Sequence, residues 1–296
     1  MIALTTIPSR AVCRTVGAVY DARLRRFPRL VRIETTNACN ARCVICPHGA
    51  MKRPIERMGD ELFERIIDEC AANDCVEIHM HNFGEPLMDK DLERRVAYAK
   101  GRGIPRVKIF CNGSLLDERR ARGLLQAGLD ELKISFDGAT REEFEQIRTP
   151  LKFDQVVENV HRVVRLRDEM RRPMRVKVAC CSTTDPKATM QTLEKVADGF
   201  SFGKIHNWAG GEGPSPESRV RKPCSRLWRT FTILASGEVA LCCLDYDGRH
   251  VLGRVSAERT IREIWRDQPY DQVRQWHRTG RQENIDLCRN CTKSFL

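Results

Sequence analysis

The sequence predicts an α/β protein: a partial (β/α)6 TIM-like barrel followed by a small C-terminal domain of a β-hairpin plus helix. Between residues 31 and 207, short runs rich in β-branched residues alternate with amphipathic helical runs, which is the pattern of a parallel sheet covered by helices. After a Gly- and Pro-rich stretch at 210–216, this alternation stops. Six parallel units with right-handed crossovers curl toward an incomplete barrel, whose ligands bind at the carboxyl ends of the strands.

The strands of the barrel are predicted from short apolar runs, and the helices from apolar residues that recur on one face. Asp60 is a predicted helix cap, and Thr140 with Glu143 is a predicted capping-box pair at the start of another helix. The six predicted strands span residues 31–36, 76–81, 107–111, 132–136, 176–180 and 204–207.

Four segments follow from the change in pattern along the chain. Runs at 231–235 and 238–242, joined at Ser236-Gly237, predict a hairpin, and helices are predicted at 261–265 and 270–277. We therefore predict an N-terminal extension at 1–30, the barrel at 31–209, a linker at 210–223 and a C-terminal domain at 224–296.

Composition indicates an ordinary soluble protein, with 41% hydrophobic and 31% charged residues. No apolar run is long enough for a bilayer, and the N-terminus lacks the pattern of a secretory signal, so we expect a cytoplasmic protein without a membrane partner. The net charge is +11, but basic residues recur along the whole chain. This distribution favours a solvated basic surface over a nucleic-acid partner.

Seven of the fourteen cysteines fall into two groups with the spacing of metal ligands. In the first, Cys39-x3-Cys43-x2-Cys46 directly follows the first predicted strand. Three thiolates are one short of closing a four-iron (4Fe-4S) cluster, so one iron stays open for a cofactor or substrate. The alternative is a zinc site with His48 as fourth ligand.

With its position after a strand, this triplet resembles the signature of the radical S-adenosylmethionine (SAM) superfamily, although Ile45 stands where the family usually has an aromatic residue. Segments at the ends of successive predicted strands resemble the family too, and each could also be an ordinary turn or helix cap. The resemblance implies that SAM is held by residues of these segments, namely Phe83, Gly84, Glu85, Asn112, Ser135 and Asp137.

The second group contains Cys224, Cys242, Cys288 and Cys291, with Gly237 between the first two. Four thiolates suffice for a zinc ion or for a 4Fe-4S cluster without an open position. The layout resembles the twitch domain, a shortened SPASM domain of radical SAM enzymes. It implies one auxiliary 4Fe-4S cluster, in addition to the cluster that binds SAM.

The resemblance implies reductive cleavage of SAM by an external flavodoxin- or ferredoxin-type reductant, followed by hydrogen abstraction from substrate. Our main hypothesis is an epimerase for an amino sugar or aminoglycoside, in which the thiol of Cys243 returns the hydrogen. Neighbouring side chains on a strand point to opposite faces, so Cys243 should not share the cluster of Cys242. The alternative to a donor is a buried structural thiol. A second hypothesis is a dehydrogenase that oxidises an aminocyclitol alcohol, with the auxiliary cluster as electron acceptor.

A small molecule is favoured over a peptide because only about thirty residues precede the first strand, too few for a peptide-binding domain. We expect a cationic amino sugar, recognised by acidic residues such as Glu34 and Asp245 and bordered by Trp208. Three further hypotheses remain open, namely a peptide-modifying maturase, an iron-sulfur electron carrier and a zinc-dependent nucleic-acid binder. The sequence does not predict the oligomeric state.

Overall fold

The computed structural model describes residues 9–182, 185–209 and 220–296. The chain divides into two compact units. We call residues 32–205 with 234–236 the barrel unit, and residues 1–31, 206–233 and 237–296 the terminal unit. Most of the predicted linker, at 210–219, lies outside the described residues.

The barrel unit contains an open, parallel sheet, which confirms the predicted fold class. Its strands lie side by side in chain order, and β2 to β6 pair in parallel. They are β1 (Leu30–Ile33, shared with the terminal unit), β2 (Glu77–His79), β3 (Arg106–Cys111), β4 (Glu131–Ser135), β5 (Arg175–Cys180) and β6 (Gly199–Phe202).

The prediction of the sixth strand at 204–207 is wrong. The strand lies at Gly199–Phe202, where Val178 pairs with Phe200. Asp198 fixes this register because its carboxylate accepts a hydrogen bond of 2.7 Å from the Val176 backbone. The alternation of Phe200 and Phe202 was the sequence signal for this strand.

Helices cover one face of the sheet. Alternate residues of the strands, such as Val107 and Ile109 of β3, are fully buried, whereas the residues between them are partly accessible. We call the accessible face the inner face of the sheet. The first helix of the chain, α1 (Ser9–Ala22), belongs to the terminal unit. The helices of the barrel unit are α2 (Asp60–Ala72), α3 (Leu92–Gly101), α4 (Glu118–Gln126), α5 (Arg141–Ile147), α6 (Phe153–Glu169) and α7 (Pro186–Gln191).

The terminal unit contains the predicted hairpin, β7 (Thr230–Ile233) and β8 (Glu238–Ala240), extended by an unpredicted third strand, β9 (Val251–Arg254). Gly237 has a φ of +88°, as the turn of the hairpin requires. Three helices follow, α8 (Ile261–Arg266), α9 (Gln268–Arg278) and α10 (Asp286–Arg289). Helix α1 joins this unit through an ion pair of 2.9 Å between Asp21 and Arg278.

In the part of the chain that the structure describes, no helix is long and apolar enough to cross a membrane.

Candidate cluster and cofactor sites

The three thiols of the first group lie in the loop that follows β1. Cys39, Cys43 and Cys46 are all free and partly accessible. Burial raises the pKa of Cys39 to about 12, and the neighbouring Cys43 and Cys46 contribute in the same direction. Three thiols that share a partly desolvated space therefore favour their neutral form unless a cation compensates, which suits a metal cluster bound by thiolates.

The backbone of this loop is hydrogen-bonded to the end of α5 and to the segment that follows it. Arg42 and Val44 donate backbone hydrogen bonds to Thr149 and Ile147, across 2.7 and 2.9 Å. These contacts fix the loop on both sides of Cys43 without using any thiol.

The zinc alternative finds no support at either cysteine group. Within the described ranges, no three His, Cys, Asp or Glu side chains converge closely enough to hold one metal ion. A structural zinc site needs its ligands about 2.0 to 2.3 Å from a single ion. The proposed fourth ligand, His48, uses Nε2 to hydrogen-bond the Asn37 carbonyl across 2.7 Å.

Gly84 allows the loop after β2 to lie directly against the start of the cysteine loop. Its φ is +92°, and a Cβ atom there would lie 2.6 Å from the Asn37 carbonyl carbon. The next residue, Glu85, donates its backbone N–H to the Ala38 carbonyl across 2.7 Å. A larger residue at position 84 would push these two loops apart.

Both carboxylate oxygens of Glu85 already accept backbone hydrogen bonds. Oε1 accepts from Leu87 across 3.1 Å, and Oε2 accepts from Asn112 across 2.6 Å. The residue is only 2% exposed, and burial raises its pKa to about 7. This geometry favours a role in shaping the loop, and the predicted bond to the SAM ammonium would compete with these contacts.

Replacing Glu85 with Gln separates the two roles, because an amide places N–H donors against one of the two backbone donors. We expect the free energy of unfolding to fall by about 1 to 3 kcal/mol, and each kcal/mol lowers the Tm by about 2 to 4 °C. Thermal unfolding under anaerobic conditions and SAM titration measure the two effects. An unchanged Tm with a tenfold or greater loss of SAM affinity would favour the ammonium contact instead.

Asn112 joins the end of β3 to the cysteine loop. Its Nδ2 donates to Asn40 Oδ1 across 2.9 Å, and its Oδ1 accepts from the backbone and hydroxyl of Ser114. Asn40 in turn donates to the Ser114 hydroxyl across 2.9 Å. Asn40 lies between Cys39 and Cys43, so Asn112 positions this loop.

Ser135 is the last residue of β4 and Asp137 lies two positions further along the chain, but their surroundings differ. Ser135 ends the strand on the partly accessible inner face. Asp137 is fully buried, and its Oδ1 accepts from the backbone of Ser182 across 2.7 Å while Oδ2 accepts from Arg148 Nε across 2.8 Å. Asp137 therefore connects the ends of β4 and β5 and holds a cation.

That cation, Arg148, is a site residue that the sequence analysis missed. Its Nη1 donates to Cys43 Sγ across 3.9 Å, and its side chain is 12% exposed. Burial alone would lower the pKa of Arg148, but Asp137 and Cys43 raise it overall. Arg148 thus places a permanent positive charge beside one predicted cluster ligand.

The acidic residues predicted to recognise a cationic substrate have partners within the protein. Glu34 is fully buried and accepts from both terminal nitrogens of Arg53, across 2.5 and 2.6 Å. Asp245 closes a turn by accepting from the backbones of Arg249 and His250, both across 2.9 Å. Trp208 has a φ of +42°, and its ring contacts that of His206.

The four cysteines of the second group line one cavity of the terminal unit. Cys224 precedes β7, Cys242 follows β8, and the other two flank the end of α10. Burial raises the pKa of each of these thiols. The other residues lining the cavity are Arg226, Leu227, Leu241, Leu244, His277, Leu287, Lys293 and Ser294. Four thiols around one mainly apolar cavity fit a closed iron-sulfur cluster.

The prediction that Cys242 and Cys243 lie on a strand and point to its opposite faces is wrong. Strand β8 ends at Ala240, and Cys242 and Cys243 lie in the turn beyond it, so their side chains need not alternate. Cys243 lies close to Arg226 and raises the pKa of that guanidinium more than any other group does. Burial raises the pKa of the Cys242 thiol, and the neighbouring Cys243 raises it further. Cys243 is thus a neighbour of the second group, and its role as hydrogen donor stays a prediction.

Comparison with protein families matches both units. Residues 33–198 match the radical SAM superfamily, and residues 224–292 match SPASM, an iron-sulfur cluster-binding domain. The first match alone covers more than half of the chain.

Individual relatives agree with this match. The S-adenosyl-L-methionine-dependent 2-deoxy-scyllo-inosamine dehydrogenase of Niallia circulans is 22% identical over 88% of this chain and 92% of that protein. The crystal structure of BtrN with AdoMet and 2-DOIA superposes with a TM-score of 0.63 at 20% identity, covering 89% of this chain and 92% of that one. Streptococcus suis SuiB, solved with the precursor peptide SuiA, gives 0.70 at 13% identity over 94% of this chain and 72% of that one.

The family fixes the cofactors, which are SAM and iron-sulfur clusters in the radical SAM and SPASM domains. The free, clustered thiols of the two groups are the donor sets that such clusters require. With the fold and both cysteine sites in agreement, this chain belongs to the radical SAM superfamily and is a radical SAM enzyme with a C-terminal SPASM-type domain.

Proposed function

We propose that this enzyme is a dehydrogenase that oxidises a secondary alcohol of a small cyclitol-like molecule. The observation that carries the proposal is the cavity of the terminal unit, which is lined by four thiols, enough to hold a cluster without an open ligand position for substrate. A relative with dehydrogenase activity, matched over nearly the whole length of both chains, supports the same conclusion.

In this proposal, Cys39, Cys43 and Cys46 hold the cluster that binds SAM. When bound and reduced, that pair of cofactors supplies a 5′-deoxyadenosyl radical, which can take a hydrogen atom from an unactivated C–H bond. Gly84 and Asn112 keep the cysteine loop in place, while Asp137 orients Arg148 beside Cys43. A flavodoxin- or ferredoxin-type protein is the proposed reductant.

An alcohol that has lost one hydrogen atom becomes a ketone by losing a proton and an electron. A dehydrogenase therefore needs an electron acceptor in addition to the SAM cluster. Cys224, Cys242, Cys288 and Cys291 would hold a second cluster suited to that role, with the charge of Arg226 beside it. Positive charge near a cluster favours its reduced form.

Epimerisation is the second candidate, because the partly accessible thiol of Cys243 lies beside this site. The two outcomes differ in product mass and in solvent labelling. We expect holoenzyme, SAM and dithionite to convert one of a panel of cyclitols, including 2-deoxy-scyllo-inosamine and myo-inositol 1-phosphate, to a ketone lighter by two hydrogens, equally well with Cys243→Ala. Mass spectrometry in deuterated water checks this. An isomer carrying deuterium, lost in Cys243→Ala, would establish the epimerase.

A further inference from the structure

The inner face of the barrel sheet carries an excess of positive charge. Its residues follow from the alternation of buried and accessible positions along the strands, with the accessible set facing inward. The carboxylates are those of Glu77 and of Glu131, which is buried but lies two residues before Lys133 and pairs with lysines of this face. The cations on the same face outnumber them and are Arg32, Arg106, Lys108, Lys133, Arg175 and Lys177.

Both carboxylates are engaged by neighbouring cations. Glu77 pairs with Lys108 across 2.7 Å and with His79 across 2.6 Å. Glu131 pairs with Lys177 across 3.1 Å and with Lys108 across 3.5 Å. Two of the three inner-face lysines are therefore neutralised by carboxylates of the same face.

Lys133 differs from these two lysines. In the described parts of the chain, no carboxylate oxygen lies within 4.0 Å of its ammonium group. The parallel register places Lys133 directly beside Lys177 of β5 on one side and Phe110 of β3 on the other. Its ammonium lies 4.9 Å from the centroid of the Phe110 ring.

The surroundings of Lys133 disfavour its charge. Burial lowers its pKa, Glu131 opposes this, and Lys177 and Lys108 lower it further. Like charges side by side on neighbouring strands are destabilising, and the aromatic ring compensates only in part. An anion bound at the ammonium would relieve this cost through a charge-assisted hydrogen bond.

Lys133 also lies at a position on the inner face that suits substrate recognition. Ser135 lies two residues further along the same face, about 7 Å toward the carboxyl end of the sheet. At that end, Asp137 and Arg148 connect β4 to Cys43. A molecule held by Lys133 would therefore extend toward the edge that carries the cysteine loop.

We infer that the substrate carries an anionic group, a carboxylate or a phosphate, and that Lys133 binds this group on the inner face of the barrel. The inference deepens the proposed function and rests on it only in assigning the bound molecule as substrate. It differs from the expected cationic amino sugar in the group that the protein recognises, because Glu34 and Asp245 already have partners within the protein, whereas no carboxylate of the described residues pairs with Lys133. An amino group elsewhere on the same molecule is compatible with it.

The test compares holoenzyme with Lys133→Met, Lys133→Arg and the exposed control Lys195→Met, all loaded with clusters and SAM. Binding of myo-inositol 1-phosphate, D-glucuronate, uncharged myo-inositol and cationic 2-deoxystreptamine is measured by calorimetry, and 5′-deoxyadenosine formation is followed in parallel. We expect an anionic probe to bind at least tenfold more tightly than myo-inositol. Lys133→Met should remove this preference, while Lys133→Arg and Lys195→Met keep it. The phosphate and carboxylate probes tell which anion is preferred.

Two results would overturn the inference. One is tighter binding of the cationic probe, unaffected by Lys133→Met. The other is a weaker affinity of Lys133→Met for SAM itself, which would assign the ammonium to the SAM carboxylate. If the anion preference depends on Lys133 but mass spectrometry detects no ketone from any probe, the inference stands and the dehydrogenase proposal fails. Iron content and circular dichroism of the Met and Arg variants exclude misfolding as the cause of any loss.

Discussion

Replacing Cys39, Cys43 and Cys46 together with Ala is expected to abolish SAM cleavage while leaving the terminal unit with its cluster. The three residues lie in one loop, and in this proposal their thiolates are the protein's ligands to the iron of the SAM-binding cluster. Dithionite reduction followed by chromatography measures 5′-deoxyadenosine. Iron content should fall from about eight to about four atoms per chain, as expected for the loss of one of two 4Fe-4S clusters.

Two controls make the first prediction specific. Cys75→Ala removes a thiol that is 1% exposed in the barrel unit but lies outside both groups, so it should retain both clusters and full SAM cleavage. Arg148→Met removes the charge beside Cys43 and should keep the iron while altering the redox potential of the cluster. Undiminished 5′-deoxyadenosine from the triple variant would show that Cys39, Cys43 and Cys46 do not hold the cluster that cleaves SAM.

The sequence predicted those parts of the site that depend on residues close together in the chain. The cysteine spacing, the turn at Gly84 and the segments after β3 and β4 are local patterns, and the fold places all of them at strand ends. Glu85 shows the limit of such patterns. Its position in the motif was evident, but only the structure shows that both carboxylate oxygens are occupied by backbone donors.

Contacts between distant residues could not be predicted in the same way. Arg148 hydrogen-bonds Cys43, which lies 105 positions earlier in the sequence. Glu34 pairs with Arg53, which lies beyond a loop without helical or strand periodicity. Strand β9 is short and has Gly253 at its centre, where a Cβ would lie 3.0 Å from Ile264, so packing rather than β propensity defines it. The exceptional position of Lys133 depends on the register of three strands, which no sequence pattern specifies.

Replacing Cys288 and Cys291 together with Ala is expected to separate SAM cleavage from substrate oxidation. Both thiols are buried and line the cavity of the terminal unit, so their loss leaves Cys224 and Cys242 with too few partners for a closed cluster. The cysteine loop after β1 belongs to the barrel unit and shares no ligand with this cavity. Iron should again fall to about four atoms per chain. 5′-Deoxyadenosine should still form, but the ketone should not.

The matched control for this second prediction is Cys243→Ala, which removes the neighbouring thiol and should keep the cluster, the 5′-deoxyadenosine and the ketone. Bound clusters contribute to folding, so the double variant should also unfold at a lower temperature than the control. Hydrogen abstraction can be followed separately, by deuterium transfer from labelled substrate into 5′-deoxyadenosine. Continued transfer without ketone places the defect after the first hydrogen atom is lost, where a dehydrogenase needs its second electron acceptor. Full ketone formation by the double variant would show that the electron leaves by another route, and the function of the terminal unit would then be structural.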